Sequence, residues 1–156
     1  MVTTEQIWKL LGDVADPEIP VLSVLDLGIV RDVTVTGERV RITITPTYSG
    51  CPAMNTIEAD IREKVQALAT VDVVTQLSPA WTTDWLTESG KQKLKEYGIA
   101  PPVEGGTGMF ENPKVSCPRC ESANTKMLAQ FGSTACKSMY QCQDCFEPFD
   151  HFKCHR

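Results

Sequence analysis

Hydrophobic positions in the first part of the chain follow two periods, and each period predicts a different kind of element. Apolar residues recur at helical spacing near the N-terminus and again after Pro52, which predicts one helix over Thr3–Val14 and another from Pro52 to about Ala69. Apolar and polar residues alternate in Ile29–Val35 and Val40–Thr45, a pattern typical of half-buried strands. A third strand is predicted over Val71–Leu77.

Capping patterns and spacing complete the prediction for this region. Thr3 with Gln6 has the spacing of a capping box, and Ser89 with Gln92 predicts a last helix over Gly90–Tyr97 in the same way. The order helix, strand, strand, helix, strand, helix predicts a small α+β domain, with helices against a mixed sheet. The buried stripe of the second helix is predicted to be Ile57, Ile61, Val65 and Leu68.

The last part of the chain has a different pattern. Residues 101–113 are rich in proline and glycine and show little periodicity, so they are predicted to be a linker between a domain at 1–100 and a small unit at 114–156. Three short strands are predicted there, over Thr125–Gln130, Lys137–Gln141 and Glu147–Phe152. The apolar side chains available for a core in this unit are few: Met127, Leu128, Phe131, Met139, Tyr140, Phe146, Phe149 and Phe152.

Cysteine spacing supplies what this small core lacks. Two C-x-x-C pairs, Cys117 with Cys120 and Cys142 with Cys145, lie 21 residues apart, a spacing typical of two knuckles that complete a tetrahedral zinc site. The predicted fold of residues 114–156 is therefore a zinc ribbon whose folding depends on the metal. Such a closed site leaves no open position for catalysis. A redox pair, disulfides or an iron–sulfur cluster on the same thiolates remain alternatives.

Four further cysteine and histidine residues of the tail are spare in this scheme: Cys136, His151, Cys154 and His155. Each is expected to be structural or exposed, although Cys154 or His155 would be able to replace one of the four ligands.

Composition and charge exclude several classes of function. Hydrophobic residues make up 42% of the chain and charged residues 22%, and no apolar run reaches the roughly 20 residues of a membrane-spanning helix. With no recognisable secretory signal, a cytoplasmic protein is expected. The net charge of −5 includes no basic stripe that would bind phosphates, so nucleic acid is not an expected partner.

Cys51 is the single cysteine of the first domain. It lies between a predicted strand and a helix that begins at Pro52, where the helix dipole favours a thiolate suited to metal ligation or nucleophilic attack. A small buried cysteine at a tight turn is the alternative. Both histidines lie in the tail, which argues against a Cys–His hydrolase. Asp16, Glu18 and Asp26 either line the same loop region or are solvated turn residues.

Several motifs together resemble a known family. Residues 16–20 (DPEIP), 26–30 (DLGIV) and 43–52 (TITPTYSGCP) resemble the domain shared by SufT-like iron–sulfur assembly factors. With residues 131–137 (FGSTACK) between the two C-x-x-C pairs, the chain over residues 5–155 is similar to the accessory proteins of bacterial phenylacetate degradation.

This resemblance implies a maturation factor rather than an enzyme. The implied client is the multicomponent phenylacetyl-CoA epoxidase (oxygenase), whose reductase component carries flavin and a [2Fe–2S] cluster. Cys51 would be the thiol that binds iron or a cluster, with Asp16, Glu18 and Asp26 around it. Bridging a cluster between two chains would supply the remaining ligands, so a homodimer is a hypothesis. The four paired cysteines would hold structural zinc.

Two other functions compete with this one. The first is a purely structural interaction subunit, in which the ribbon and linker dock the oxygenase complex. The second is a thiol oxidoreductase that uses Cys51 and Cys136, which would have to lie close enough for a disulfide.

Overall fold

The computed structural model describes residues 1–48, 50–103 and 114–153, and its contacts divide the chain into two compact units, Met1–Gly90 and Lys91–Arg156. Most of the predicted linker at 101–113 lies outside the described residues, as do Cys154 and His155. The domain limits at 1–100 and 114–156 stay a prediction. Among the described residues, none of the helices is long and apolar enough to cross a lipid bilayer.

In the described residues of the first unit there are two α-helices, a short 3-10 helix (Thr83–Trp85) and a three-stranded sheet. The sheet has the order β1-β2-β3, with β1 antiparallel to β2 and β2 parallel to β3, so the α+β class is confirmed. A third α-helix begins at the end of this unit. The elements are α1 (Thr4–Leu11), β1 (Val30–Thr36), β2 (Arg39–Ile44), α2 (Ala53–Gln66), β3 (Thr70–Thr75) and α3 (Glu88–Tyr97).

The capping box predicted for α1 is present, because the Thr3 side chain accepts the backbone N–H of Gln6 and the Gln6 side chain accepts that of Thr3. The helix ends earlier than the predicted Val14, since Gly12 closes it with N–H bonds back to the last turn. Val14 is nevertheless 1% exposed. The loop that follows the helix therefore continues the core.

The predicted buried stripe of α2 is right for three of its four positions. Ile57, Ile61 and Val65 are fully buried, whereas Leu68 is 50% exposed. The helix ends at Gln66, and the Leu68 N–H bonds the carbonyl of Val65 in the turn that follows. Leu68 therefore lies outside the helix and does not belong to its buried face.

The start predicted for α3 is wrong by two residues. The helix begins at Glu88, and the backbone N–H of Gly90 donates to the hydroxyl of Thr87 at 3.0 Å. Thr87 thus caps the helix in place of the predicted Ser89, because the Thr87 hydroxyl accepts the backbone N–H three residues further along the chain.

The second unit is a four-stranded sheet of order β4-β7-β6-β5, and its three predicted ribbon strands are confirmed. The short strand β4 was not predicted, since it has only two residues, and it pairs in parallel with β7. The strands are β4 (Ile99–Ala100), β5 (Thr125–Ala129), β6 (Lys137–Cys142) and β7 (Pro148–Phe152).

Only part of the apolar set expected for this core is inside it. Tyr140, Phe149 and Phe152 are buried, and Val115 and Ala100 join the first two around Cys117 and Cys142. Met127 is partly buried against this core. The strands have two faces, and the loops carry further side chains outward, so four large apolar residues of the expected set are exposed: Leu128, Phe131, Met139 and Phe146.

Candidate metal centre and thiol site

The two C-x-x-C pairs converge at one end of the ribbon. Cys117 and Cys120 precede β5, Cys142 ends β6, and Cys145 lies in the turn that leads to β7. The four Sγ atoms all lie within 4.8 Å of one another. The Sγ atoms of Cys117 and Cys145 are 3.7 Å apart, and those of Cys120 and Cys142 are 3.5 Å apart.

These distances fit a metal ion better than a set of disulfides. A zinc ion with sulfur ligands at about 2.3 Å in a tetrahedron separates the sulfurs by about 3.8 Å, close to the spacings found. A disulfide would need about 2.0 Å, and all four cysteines are free thiols. The donor set is therefore that of a closed, four-thiolate metal site.

Backbone geometry around the sulfurs is that of two matched knuckles. The N–H of Arg119 points to the sulfur of Cys117, and the N–H of Cys145 points to that of Cys142, both at 3.4 Å. The pKa of Cys142 is lowered to about 7, chiefly by this N–H from Cys145. Donors directed at sulfur favour the thiolate, the form that binds metal.

The turn at each knuckle ends in a left-handed residue. Glu121, which follows Cys120, and Phe146, which follows Cys145, both have φ of 63°. The backbone N–H of Glu121 returns to the carbonyl of Cys117 at 2.9 Å. This turn brings each pair of thiols to one side.

The described spare residues of the tail are buried but lie outside this group of four. His151 is 4% exposed, and burial lowers its pKa to about 4, so its ring is neutral at pH 7. Its Nδ1 is 3.3 Å from the hydroxyl of Ser138. Cys136 is 5% exposed, with its sulfur 3.1 Å from the hydroxyl of Thr134. Both residues are therefore buried side chains outside the four-cysteine group, in line with the structural role expected for them.

In the first unit, Cys51 lies just before α2 and is half-buried. Pro52 is the N-cap of the helix, so Cys51 precedes the cap by one residue. Gly50, with φ of 78°, turns the chain there. The Cys51 N–H donates to the carbonyl of Tyr48, and its carbonyl accepts the N–H of Met54, both at 3.2 Å. The thiol is thus held at the helix start and remains accessible.

The expected thiolate is not favoured at this position. The pKa of the Cys51 thiol is raised, first by burial and also by the negative charge of Glu18. The N–H of Ala53 and the side chains of Tyr48 and Thr47 act in the opposite direction but do not outweigh burial. Cys51 is therefore a neutral thiol at pH 7, and a metal ion would have to displace its proton.

The three predicted carboxylates have different surroundings. Oδ1 of Asp16 accepts the N–H groups of Glu18 and Ile19 at 2.7 and 2.8 Å, and Oδ2 of Asp26 accepts the N–H of Ser23 at 3.0 Å. These two buried carboxylates hold the loop backbone. Glu18 is the carboxylate whose charge acts on Cys51.

The hydroxyl groups beside Cys51 were not among the predicted site residues. Thr47 and Tyr48 both interact with its sulfur through their side chains. Their place three and four residues before a cysteine at a predicted helix start is the sequence feature that would have identified them.

Known families match both parts of the chain. Residues 4–75 match the family described as iron-sulfur cluster assembly protein, and residues 102–153 match the family described as PaaD zinc beta ribbon domain. The ribbon predicted from the cysteine spacing is thereby confirmed as a zinc-ribbon domain with a metal-binding cysteine cluster.

Two curated relatives extend the similarity. A protein of Escherichia coli (strain K12), named as one of the subunits of 1,2-phenylacetyl-CoA epoxidase, is 52% identical over 96% of this chain and 92% of its own length. A Fe-S protein maturation auxiliary factor of Porphyromonas gingivalis is 38% identical over 59% of this chain and 90% of its own length.

Solved structures resemble a part of the chain. The domain of unknown function DUF59 from Bacillus anthracis has 26% identity and a TM-score of 0.55 over 58% of this chain and 89% of its own. The conserved hypothetical protein TM0487 from Thermotoga maritima has 28% identity and a TM-score of 0.51 over 60% and 94%.

Proposed function

Because this chain belongs to the PaaD family, together with the epoxidase protein of Escherichia coli, we propose that it assists iron–sulfur cluster assembly in the phenylacetyl-CoA oxygenase. The relative is named as part of that epoxidase, and the match over residues 4–75 joins this chain to iron–sulfur assembly proteins. The proposed role is that of a cytoplasmic accessory factor without catalytic activity of its own. Iron or a cluster is its cargo.

The observation that carries this proposal is the half-buried thiol of Cys51, whose pKa is raised by burial and also by the negative charge of Glu18. A thiol and a carboxylate are both ligands for iron. Together they supply only part of a coordination shell, so a bound iron or cluster edge would need further ligands from another chain. An incomplete ligand set suits transfer to a client better than storage.

The raised pKa of Cys51 adds a control on loading. A neutral thiol at pH 7 is a poor ligand until a metal ion competes for its proton. The Ala53 N–H and the side chains of Tyr48 and Thr47 stabilise the thiolate once it forms, because they interact with the sulfur. Those three groups therefore favour the loaded state over the empty one.

The ribbon cysteines have a separate part in this proposal. Cys117, Cys120, Cys142 and Cys145 would hold one zinc ion, whose chemistry is structural, since a site with four protein ligands has no open position. The ion would link both knuckles to the small core around Tyr140 and Phe149.

We propose the reductase component of the oxygenase, which is expected to contain a [2Fe–2S] cluster, as the client. A homodimer that bridges one cluster between two Cys51 thiols is an alternative source of the missing ligands. The two arrangements differ in stoichiometry, because a bridged cluster requires two chains for each cluster.

Anaerobic reconstitution of the purified full-length protein with Fe²⁺ and sulfide tests the proposal. We expect Cys51→Ser to lose the iron that the wild type holds in excess of its ribbon metal, with zinc content unchanged, and Glu18→Gln to retain less iron than wild type. Glu63→Gln, at an exposed position on α2, is the matched control and should load normally. If Cys51→Ser carries as much iron as wild type and matures the reductase equally well, the proposal is wrong.

A purely structural interaction protein is the second candidate. The exposed apolar side chains of the ribbon favour it, because large apolar groups at a surface are typical of protein contacts. A docking protein would tolerate Cys51→Ser in the maturation assay, so the same experiment separates the two functions.

A further inference from the structure

We propose that the outer face of the ribbon is a docking surface for a partner protein whose contact region is apolar at its centre and rich in carboxylates at its rim. The name outer face denotes the four large apolar side chains of the described ribbon that are exposed: Leu128, Phe131, Met139 and Phe146. The partner is taken to be an oxygenase component, a choice that rests on the proposed function. The surface itself is inferred from its own side chains.

Strand alternation places Met139, the outer-face residue of β6, on the side of that strand opposite to the core. In β6, Tyr140 and Cys142 are buried against Phe149 and Val115, so Met139 and Gln141 point to the opposite side. The side-chain amide of Gln141 donates to the backbone carbonyl of Phe146 at 3.3 Å, which links β6 to the turn after the second knuckle. The outer-face residues Leu128, Phe131, Met139 and Phe146 are 49%, 53%, 38% and 69% exposed.

The loop that carries Phe131 is held in place by several hydrogen bonds. The N–H of Gly132 donates to the carbonyl of Lys137 at 2.7 Å, and the N–H of Lys153 donates to that of Cys136 at 2.8 Å. The Lys153 ammonium donates to the carbonyl of Gln130 and lies 4.3 Å from the centre of the Phe131 ring. An exposed aromatic side chain held in one position loses little conformational entropy on binding.

Charges around the outer face indicate what kind of partner it fits. Three carboxylates in the described part of the ribbon have partners: Glu121 pairs with Lys95, Glu147 pairs with Arg119, and Asp144 bonds Ser122 and Asn124. Asp150, opposite Met139 on β7, has one buried oxygen, Oδ1, without a hydrogen-bond partner. Lys126 and Lys153, in contrast, make no ion pair among the described residues. Lys126 is exposed on β5 directly opposite Gln141, which puts its ammonium at the edge of the outer face.

The net charges of the two units also favour an acidic partner for the ribbon. Residues 91–156 contain nine Lys and Arg against seven Asp and Glu, a net +2, whereas residues 1–90 contain six against 13, a net −7. An apolar face with lysines at its edge is complementary to carboxylates. Nucleic acid is the weaker fit, because its phosphates favour a continuous basic stripe.

Binding of purified oxygenase components to the immobilised full-length protein tests the surface. We expect the reductase component to bind the wild type, and Phe131→Ala to weaken that binding by at least about tenfold. Lys126→Glu should also weaken binding and reduce its dependence on salt. The matched controls are Leu77→Ala, a 62% exposed position in the first unit, and Lys64→Glu, an exposed cation on α2. Both should stay within about twofold of wild type.

Several results would overturn the inference. One is that no oxygenase component binds, and another is that Phe131→Ala and Met139→Thr both bind as the wild type does. Preferential binding of a single-stranded oligonucleotide would also count against it, as would a dimer in light scattering that Phe131→Ala converts to a monomer. Cys51→Ser distinguishes this inference from the proposed function, because it should lose iron and still bind the reductase.

Discussion

Asp16 is expected to stabilise the loop before β1 rather than to bind iron, and two substitutions separate these roles. Its carboxylate is 7% exposed, and the single oxygen Oδ1 accepts the backbone N–H groups of Glu18 and Ile19. Asp16→Ala removes that acceptor and leaves both donors without a partner. Asp16→Asn keeps an oxygen in the same position and removes the negative charge.

The structure sets the size of the expected effect. A buried donor without a partner costs about 1–3 kcal/mol. Ile19 is 1% exposed and Glu18 is half-buried, so Asp16→Ala should lower the free energy of unfolding by about 2–4 kcal/mol. For a unit of this size that corresponds to a fall in Tm of about 10–25 °C. Asp16→Asn should cost about 1 kcal/mol, because a neutral acceptor is weaker than a charged one.

Urea unfolding followed by tryptophan fluorescence measures this effect in the correct unit, because all three tryptophans lie within residues 1–90. Asp13→Ala, at an exposed aspartate three residues earlier, is the control and should change stability by less than about 0.5 kcal/mol. The reasoning is refuted if Asp16→Ala is as stable as wild type. It is also refuted if Asp16→Asn stays folded but loses bound iron, which would make the carboxylate a ligand.

Three further predictions concern the backbone, the thiol and the metal. Gly28→Ala should destabilise the first unit by about 3–5 kcal/mol in urea unfolding, because φ is +70° and the new Cβ would lie 2.3 Å from the Trp85 carbonyl oxygen. Gly37→Ala, with φ of +61° and no atom within 4 Å, should cost only about 1–2 kcal/mol; equal losses would contradict the steric argument. Alkylation of Cys51 by iodoacetamide, followed by peptide mass spectrometry, should have its pH midpoint above the ordinary 9.0 because the pKa of the thiol is raised, and Glu18→Gln should lower that midpoint. Because its pKa is raised, the Cys51 thiol holds its proton more tightly in the folded state than in the unfolded state. The resulting contribution to stability is present below the pKa of Cys51 in the unfolded chain and is lost as pH rises through its pKa in the folded protein. Removal of metal by a strong chelator should abolish the dispersed NMR amide signals of the ribbon strands and leave the tryptophan emission unchanged; a ribbon that keeps its signals without metal would refute the structural role of the ion.

Strands of the first unit were located from local pattern more accurately than helix ends. The alternation of valine and isoleucine with polar residues located β1 and β2 to within one residue at each end, because an alternation of period two is typical of strands and not of helices. The ends predicted for α1 and α2 and the start predicted for α3 were less accurate, because capping and packing determine where a helix begins and stops, and several residues can serve as a cap. Leu68 kept the helical spacing but lay beyond the end of the helix.

Residue types and three-dimensional packing contributed differently to the two candidate sites. Cysteine spacing was sufficient to predict the metal centre, because four cysteines at knuckle spacing have few other uses and the backbone between close cysteines can fold in few ways. The state of Cys51 followed only from the fold, since burial, a summed effect of distant residues, raises its pKa against the local effect of the helix start.

The same holds for the carboxylates. Their spacing put Asp16, Glu18 and Asp26 in one loop region, but the fold assigned two of them to backbone N–H groups and left Glu18 to act on the thiol. Local pattern is encoded over a few residues, whereas burial and hydrogen-bond partners depend on the whole chain.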